Sequence, residues 1–403
     1  MPYYNIRFER FLFSIKFRMR YLYTTLAFVF SLSCGVKAQE KEGFFSKLKD
    51  SFSSEIVIGT YTFKDGSVYT GEMSKRKPHG KGKTVFKNGD VFEGEYVRGK
   101  REGYGTYTFT DGEKYEGQWY QDQQHGKGIY YFLNNNRYDG MWYQDYQQGH
   151  GIMYYYNGDV YEGEWAKDKR EGKGTYAWKN GSKYTGSWKN DKKNGEGVLL
   201  WNDGSKYDGQ WKEDMREGKG TFEYANGDKY VGDWVDDMQH GKGIYFFHTG
   251  DRYEGMYVQG ERTGSGIYYH ANGNKYVGDF KDGVQEGKGT FTWVNGAVYE
   301  GDWKDNVRTG YGVYKWNAGD SYEGEWKDNN FDGQGTLTLT DGTRYKGHFL
   351  NGLEDGSGVQ QDKQGNRYEG FFKQGKKHGP FIETDKDGKV IRKGTYKMGK
   401  IEN

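Results

Sequence analysis

The residues best suited to chemistry are eight histidines, one cysteine and a large set of carboxylates and lysines. The histidines are His79, His125, His150, His240, His248, His270, His348 and His378. Imidazoles placed together would hold a metal or move protons. Four of them, His79, His125, His240 and His378, stand one residue before a glycine at the same point of a repeated unit. The nearest two of these, His79 and His125, are two units apart, roughly 20 Å if each unit adds a hairpin to a sheet. Metal–nitrogen bonds are about 2 Å long, so one site cannot use both. Gly80-Lys81-Gly82 has glycines around a lysine, but no Gly-Lys-Ser/Thr and no following helix signal, so it is not a phosphate loop. Carboxylates such as Glu93, Glu116, Asp139, Glu162 and Asp208 return with the same period, whereas an active site breaks a pattern once. The expectation is a chain that is not an enzyme, with no catalytic residue, no metal and no cofactor.

What positions these residues is a unit of twenty-three. Its opening slot is filled by Tyr69, Phe92, Tyr115, Tyr138, Tyr161, Tyr184, Tyr207, Tyr230, Tyr253, Tyr276, Tyr299, Tyr322, Tyr345 and Tyr368, at constant spacing. A period of this length marks a repeat array. Alternate residues of a strand share a face. Tyr115, Gly117 and Trp119 therefore face one way, and Glu116 and Gln118 the other. On the return strand Gly126, Gly128, Tyr130 and Phe132 oppose Lys127, Ile129 and Tyr131. Glycine between rings lets the rings close over bare backbone. Asn88-Gly89, Asp111-Gly112 and Asn180-Gly181 read as hairpin turns with positive φ. Fifty-six of the sixty-five glycines and all twelve tryptophans occupy fixed slots of the unit or of a leading half-unit at Gly59. The predicted fold is all-β: an elongated, solenoid-like sheet of consecutive antiparallel hairpins, fourteen copies plus partial end units.

Tyr161-Glu162-Gly163-Glu164-Trp165 followed by Gly172-Lys173-Gly174-Thr175-Tyr176, with Tyr322-Glu323-Gly324-Glu325-Trp326, resembles the MORN repeat family. The resemblance covers about residues 59 to 399. It implies an elongated sheet of hairpins used as a scaffold, in some members at membranes. Family members with a fused kinase or methyltransferase domain carry extra sequence that has no counterpart here.

The flanks differ. Residues 1–38 combine a basic stretch, an apolar run from Leu22 to Gly35 and the small-residue site Val36-Lys37-Ala38. These are the parts of a secretory signal peptide; an uncleaved anchor at residues 21–36 is the alternative. Export to the periplasm or cell envelope follows. Cys34, the sole cysteine, would leave with the signal. So would six of the basic residues and one acid, which takes the net charge from +2 to −3 and leaves no basic excess to suggest nucleic acid. Residues 39–58 read as a linker or a cap helix with Phe44, Leu48 and Phe52 on one side. Residues 59–403 form the array, degenerate at its C-terminal end.

One face of the array is aromatic, and the other carries acids and lysines suited to cross-strand pairing. Strand twist should coil the aromatic face into a concave, partly self-covered groove. Its candidate lining is Tyr115, Trp119, Tyr138, Trp142, Tyr161, Trp165, Tyr184, Trp188, Tyr207, Trp211, Tyr230 and Trp234. The expected function is a scaffold that binds protein partners in this groove, with an envelope glycan or an anionic membrane as the alternative ligand. Phe371, Phe372, Phe381 and Ile382 near the C-terminal edge are candidate contacts of a homodimer.

Overall fold

A computed structural model describes residues 55–402. The expected signal peptide and the expected helix of Phe44, Leu48 and Phe52 lie outside the described residues. Among the described residues there is no helix, and thirty-one strands follow one another from Val57–Thr62 to Lys400–Ile401. The chain divides into two units after Glu102.

In the first unit, Val57–Thr62, Val68–Ser74, Lys77–Val85 and Val91–Val97 pair antiparallel in chain order. Gly59, Gly71, Gly82 and Gly94 face one another in a line across the four strands. Tyr69 and Phe92 are wholly buried, and Tyr96 meets Tyr69 edge to face at 4.9 Å. The Tyr96 hydroxyl is 2.6 Å from Thr84 Oγ1.

The second unit repeats one hairpin. A seven-residue strand such as Lys114–Tyr120 turns tightly into a nine-residue strand, Gln123–Tyr131. A wider turn leads to Arg137–Tyr143, and the pattern restarts. One glycine of each strand pairs with a glycine of the next, unbroken from Gly105 to Gly370. Phe381 then takes the place of glycine, and Gly394 follows. The line exists because a tyrosine lies on it. A Cβ on Gly117 would stand 2.5 Å from both the Gly128 Cα and the Tyr115 hydroxyl oxygen. Held flat, Tyr115 donates its hydroxyl to the Gln118 carbonyl at 2.9 Å, and Tyr184 does the same to Ser187 at 3.0 Å. Burial alternates as expected: Tyr115, Gly117 and Trp119 are buried, while Gln118 and Tyr120 are exposed.

One sequence expectation needs correction. Gly126 does not share the role of Gly128. Two strand positions from Gly117 to Trp119 are matched by four from Gly128 to Gln124, so the return strand bulges. Gly126 sits in that bulge at φ 61°, and a side chain there would strike Gln118 on the other face. The Asn-Gly and Asp-Gly turns join paired strands at positive φ, as expected. At Asn180-Gly181 only the glycine has positive φ, and its N–H bonds back to the Trp178 carbonyl at 3.0 Å. That is a type I turn closed by a left-handed glycine. The turn with both central residues at positive φ is the tight one, at Gln121-Asp122, Gln144-Asp145, Lys167-Asp168 and Asn190-Asp191. Asp and Asn tolerate the left-handed region better than other side-chain-bearing residues, which explains their place there.

Gly163→Val tests the close approach. Its Cβ would lie 2.5 Å from the Gly174 Cα and from the Tyr161 hydroxyl. The expected loss is about 1–3 kcal/mol, the usual cost of overpacking, read from urea unfolding and from protease cleavage confined to that hairpin. Unchanged stability would show that the ring does not occupy this space.

Candidate functional site

The aromatic face is a herringbone of rings. Tyr115 meets Trp119 of its own repeat and Trp142 of the next edge to face, each at 5.3 Å. Tyr138 does the same with Trp142 and Trp165, again at 5.3 Å. Such pairs add about 0.5–1.5 kcal/mol each beyond burial. Each indole N–H is also used: Trp142 Nε1 donates to the Gly128 carbonyl and Trp165 Nε1 to the Gly151 carbonyl, both at 3.2 Å. Burial pushes the Tyr138 and Tyr184 hydroxyls far above the usual phenol range, so they stay protonated donors.

This settles where the predicted groove residues stand. Tyr115, Tyr138, Tyr161, Tyr184, Tyr207 and Tyr230 are wholly buried. Trp119, Trp142, Trp165, Trp188, Trp211 and Trp234 are 2–5% exposed. They form the core and give a ligand little surface. The open surface above them is a second tier of rings from the return strands. Phe109, Tyr130, Phe132 and Tyr155 are half-buried and line a furrow of about 670 Å³ with Arg170, Asp145 and Asp168. A second furrow of about 520 Å³ lies between Trp201, Phe222, Lys193 and Arg216.

One wall of these furrows was missed from sequence. Arg170, Lys193 and Arg216 lie over Trp188, Trp211 and Trp234 at 4.3, 4.1 and 4.3 Å. Aspartates of the tight turns brace them. Asp191 Oδ1 accepts the Arg170 backbone N–H at 2.9 Å, and Asp237 Oδ1 that of Arg216 at 2.9 Å. The available signal was a basic residue nine positions after the opening tyrosine, in several repeats only.

At the wider turns Asp159, Asp228 and Asp251 accept the hydroxyls of Tyr176, Tyr245 and Tyr268 from the following repeat. Burial raises the Asp228 pKa, but the His248 N–H, the His248 ring and Tyr245 outweigh it, and the carboxyl is held well below its usual range. His248 thereby serves the turn, with Nδ1 2.8 Å from Asp228. On the charged face, the lysine between paired glycines meets the acid three places after the next opening tyrosine. Lys219 bonds Asp233 and Lys288 bonds Asp302, so the acid directly after the tyrosine is not its partner. No group of histidines, cysteines and carboxylates among the described residues could hold a metal ion. Of the proposed dimer contacts, Phe372 and Phe381 belong to the core at 4% exposure, while Phe371 and Ile382 are exposed on the other face.

The family model described as MORN repeat matches residues 57–68 and then fourteen consecutive segments from 69–91 to 368–389. The chain belongs to the MORN repeat family. Among curated proteins none matches. Solved structures with local likeness to this MORN protein include the Sas-4 (dCPAP) TCP domain of Drosophila melanogaster in complex with a proline-rich motif of Ana2 (dSTIL). It is 18% identical over 39% of this chain and 85% of that one, with a TM-score of 0.26. The TCP10 domain of Danio rerio CPAP is 12% identical over 72% of this chain and 98% of that one, at 0.15. Virginiamycin B lyase from Staphylococcus aureus is 10% identical over 77% and 92%, at 0.12. Scores this low do not establish a shared overall fold.

One MORN unit departs electrostatically from the others. Glu354 takes the position that Arg170 and Arg216 hold in theirs, opposite Phe349. Burial there pushes its carboxyl up to about 7, against a smaller downward pull from Lys377. A folded-state pKa above the unfolded value of 4.5 means that folding favours the protonated acid. This contribution is present below pH 4.5 and is lost as pH rises through 7. Glu354→Gln should therefore stabilise this part of the array at pH 8 by about 1–2 kcal/mol, allowing for partial solvent access, and have little effect at pH 4.5. Hydrogen exchange of residues 345–372 at the two pH values is the measurement, and an equal effect at both would refute the buried acid.

Proposed function

We propose that this MORN protein is a non-enzymatic, exported scaffold that holds an extended segment of a protein partner along the furrow of its aromatic face. One observation carries the reading: above a fully packed core lies a second tier of half-exposed rings, Phe109, Tyr130, Phe132 and Tyr155. These rings help to close the core, as Tyr130 does against Trp142 at 5.8 Å, and still keep part of their own surface open to solvent. The furrow's wall offers both signs of charge, Arg170 beside Asp168 and Asp191, for a partner's backbone and polar groups. Each of these rings packs against at least one neighbouring ring, so binding orders few side chains and keeps its entropy cost low.

Cross-linking pull-down from envelope extract tests the furrow. Phe132→Ala with Tyr155→Ala should weaken capture at least tenfold while the melting temperature stays high enough for the array to remain folded. Full retention by a folded double variant removes the furrow as the binding surface. Export has its own readout: N-terminal sequencing of protein from the envelope fraction should begin at Gln39, and a chain retaining residues 1–38 would favour the anchored alternative.

Homodimerisation is a second reading, supported by the exposure of Phe371 and Ile382, at 47% and 49%, with Val390 and Ile391 nearby in sequence and also exposed. Phe371→Lys with Ile382→Lys should shift sedimentation from dimer to monomer without unfolding. A protein that sediments as a monomer before substitution refutes the pairing.

A further inference from the structure

We infer that the charged face carries a glycan-binding row at Tyr120, His125, Tyr143 and Tyr146, suited to a neutral, extended, β-linked polysaccharide. The row is a local break in the repeat. Five places after the opening residue, six other units carry lysine, as at Lys189 and Lys212, and six carry a small or aliphatic residue or serine, as at Ala166 and Val235, whereas these two alone carry aromatic rings, Tyr120 and Tyr143. Both are 52% exposed, and Tyr146, paired with Tyr143 across the tight turn, is 49% exposed. The His125 ring fills the gap between repeats, 5.6 Å from Tyr120 and 5.2 Å from Tyr143. Its Nδ1 is buried without a hydrogen-bond partner, so the two tyrosines rather than a polar contact hold the ring in place. The clustering is specific. Tyr104, Tyr120, Tyr143, Tyr146 and Tyr156 are exposed within one stretch, and the remaining strongly exposed tyrosine among the described residues is Tyr311.

The chemistry selects the ligand. Tyr120 and Tyr143 stand in successive repeats, two strand spacings or about 10 Å apart. That span matches the disaccharide repeat of an extended β-1,4-linked chain, which presents alternate sugars in the same orientation. Phenol rings stack on the C–H face of such sugars. Gln123 pairs with Tyr120 across the tight turn, and its amide bonds hydroxyls without requiring a charge. The row holds no lysine or arginine, which disfavours an anionic ligand, and no aliphatic side chain, which disfavours an apolar peptide. The row lies on the face opposite the furrow and stands independently of it.

The experiment is retention of the full chain on insoluble cellulose, chitin and β-1,4-mannan. Tyr120→Lys with Tyr143→Lys introduces the residue that six other units carry in this slot, so the fold accepts it there, and an unchanged melting temperature checks it. The expected result is retention on at least one of the three, weakened at least tenfold in the double variant and unchanged in Tyr311→Lys. No retention on any of them overturns the inference, as does equal retention by the double variant. Loss of a captured protein, with no polysaccharide retained by the parent chain, assigns the row to a protein contact and also overturns it.

Discussion

The structure depends on one steric bargain: a tyrosine ring lies where two cross-strand glycines have no side chains. Tyr161 covers Gly163 and Gly174, and a Cβ on Gly174 would collide with it. A ring lying flat on backbone is shielded below by the sheet and at its edges by two tryptophans, Trp165 and Trp188. This is how a single sheet buries large side chains completely without a second sheet or a helix packed on it. Domains ordinarily need two layers for that. Here the second layer is the herringbone of rings, and the glycine line makes room for it. Because each opening tyrosine from Tyr115 to Tyr345 touches an aromatic ring of its own repeat and one of the next, tryptophan in most and tyrosine or phenylalanine in the rest, the packing is also the coupling between repeats, the nearest-neighbour energetics expected of an array.

The same requirement accounts for the turns. Two strands joined at one end by a bulged return strand must keep register so that Gly117 still meets Gly128. A tight turn with both central residues left-handed matches the twist of its strands. The chain accepts non-glycine residues there, Gln121-Asp122 and Lys167-Asp168 among them, at a cost of order 1 kcal/mol each. Part of that cost is returned locally. The aspartate that tolerates the backbone also accepts an N–H from the preceding repeat, as Asp168 does from Gln147 at 2.8 Å. One residue thus closes a turn and ties two repeats.

Much of the fold was legible because it is periodic. Tyr115, Gly117 and Trp119 state a strand, its face and its packing in five residues, and fourteen copies average out local exceptions. What stayed hidden was any distinction that composition does not carry. Gly126 and Gly128 look alike in sequence, yet one is a bulge and the other lies under a ring. Asn-Gly marks a turn but does not say which backbone type, and the tight turn at Lys167-Asp168 carries no glycine to announce it. Tyrosine and tryptophan at alternating positions are equally good as core or as groove lining. Only the covering rings decide, and those come from another repeat. Arg170 over Trp188 is likewise a contact between units, invisible within either unit alone.

Regularity is what makes the exceptions informative. A residue that recurs with the period is constrained by packing in every repeat, and its identity says little about ligands. A residue that departs from its slot is released from that constraint and must answer to something local. Phe331 departs by filling a cation's place with a ring stacked on Tyr322 at 3.8 Å, a packing answer. Glu354 departs in the next unit and leaves a carboxyl against rings at a cost in stability, which packing does not explain. Tyr120 and Tyr143 depart by exposing large rings where every other unit carries a lysine, a serine or a smaller aliphatic residue. Exposed aromatic surface in a row is unfavourable in water unless something covers it. In an array whose buried rings are already fully occupied with one another, such surface is where recognition can be added without disturbing the fold.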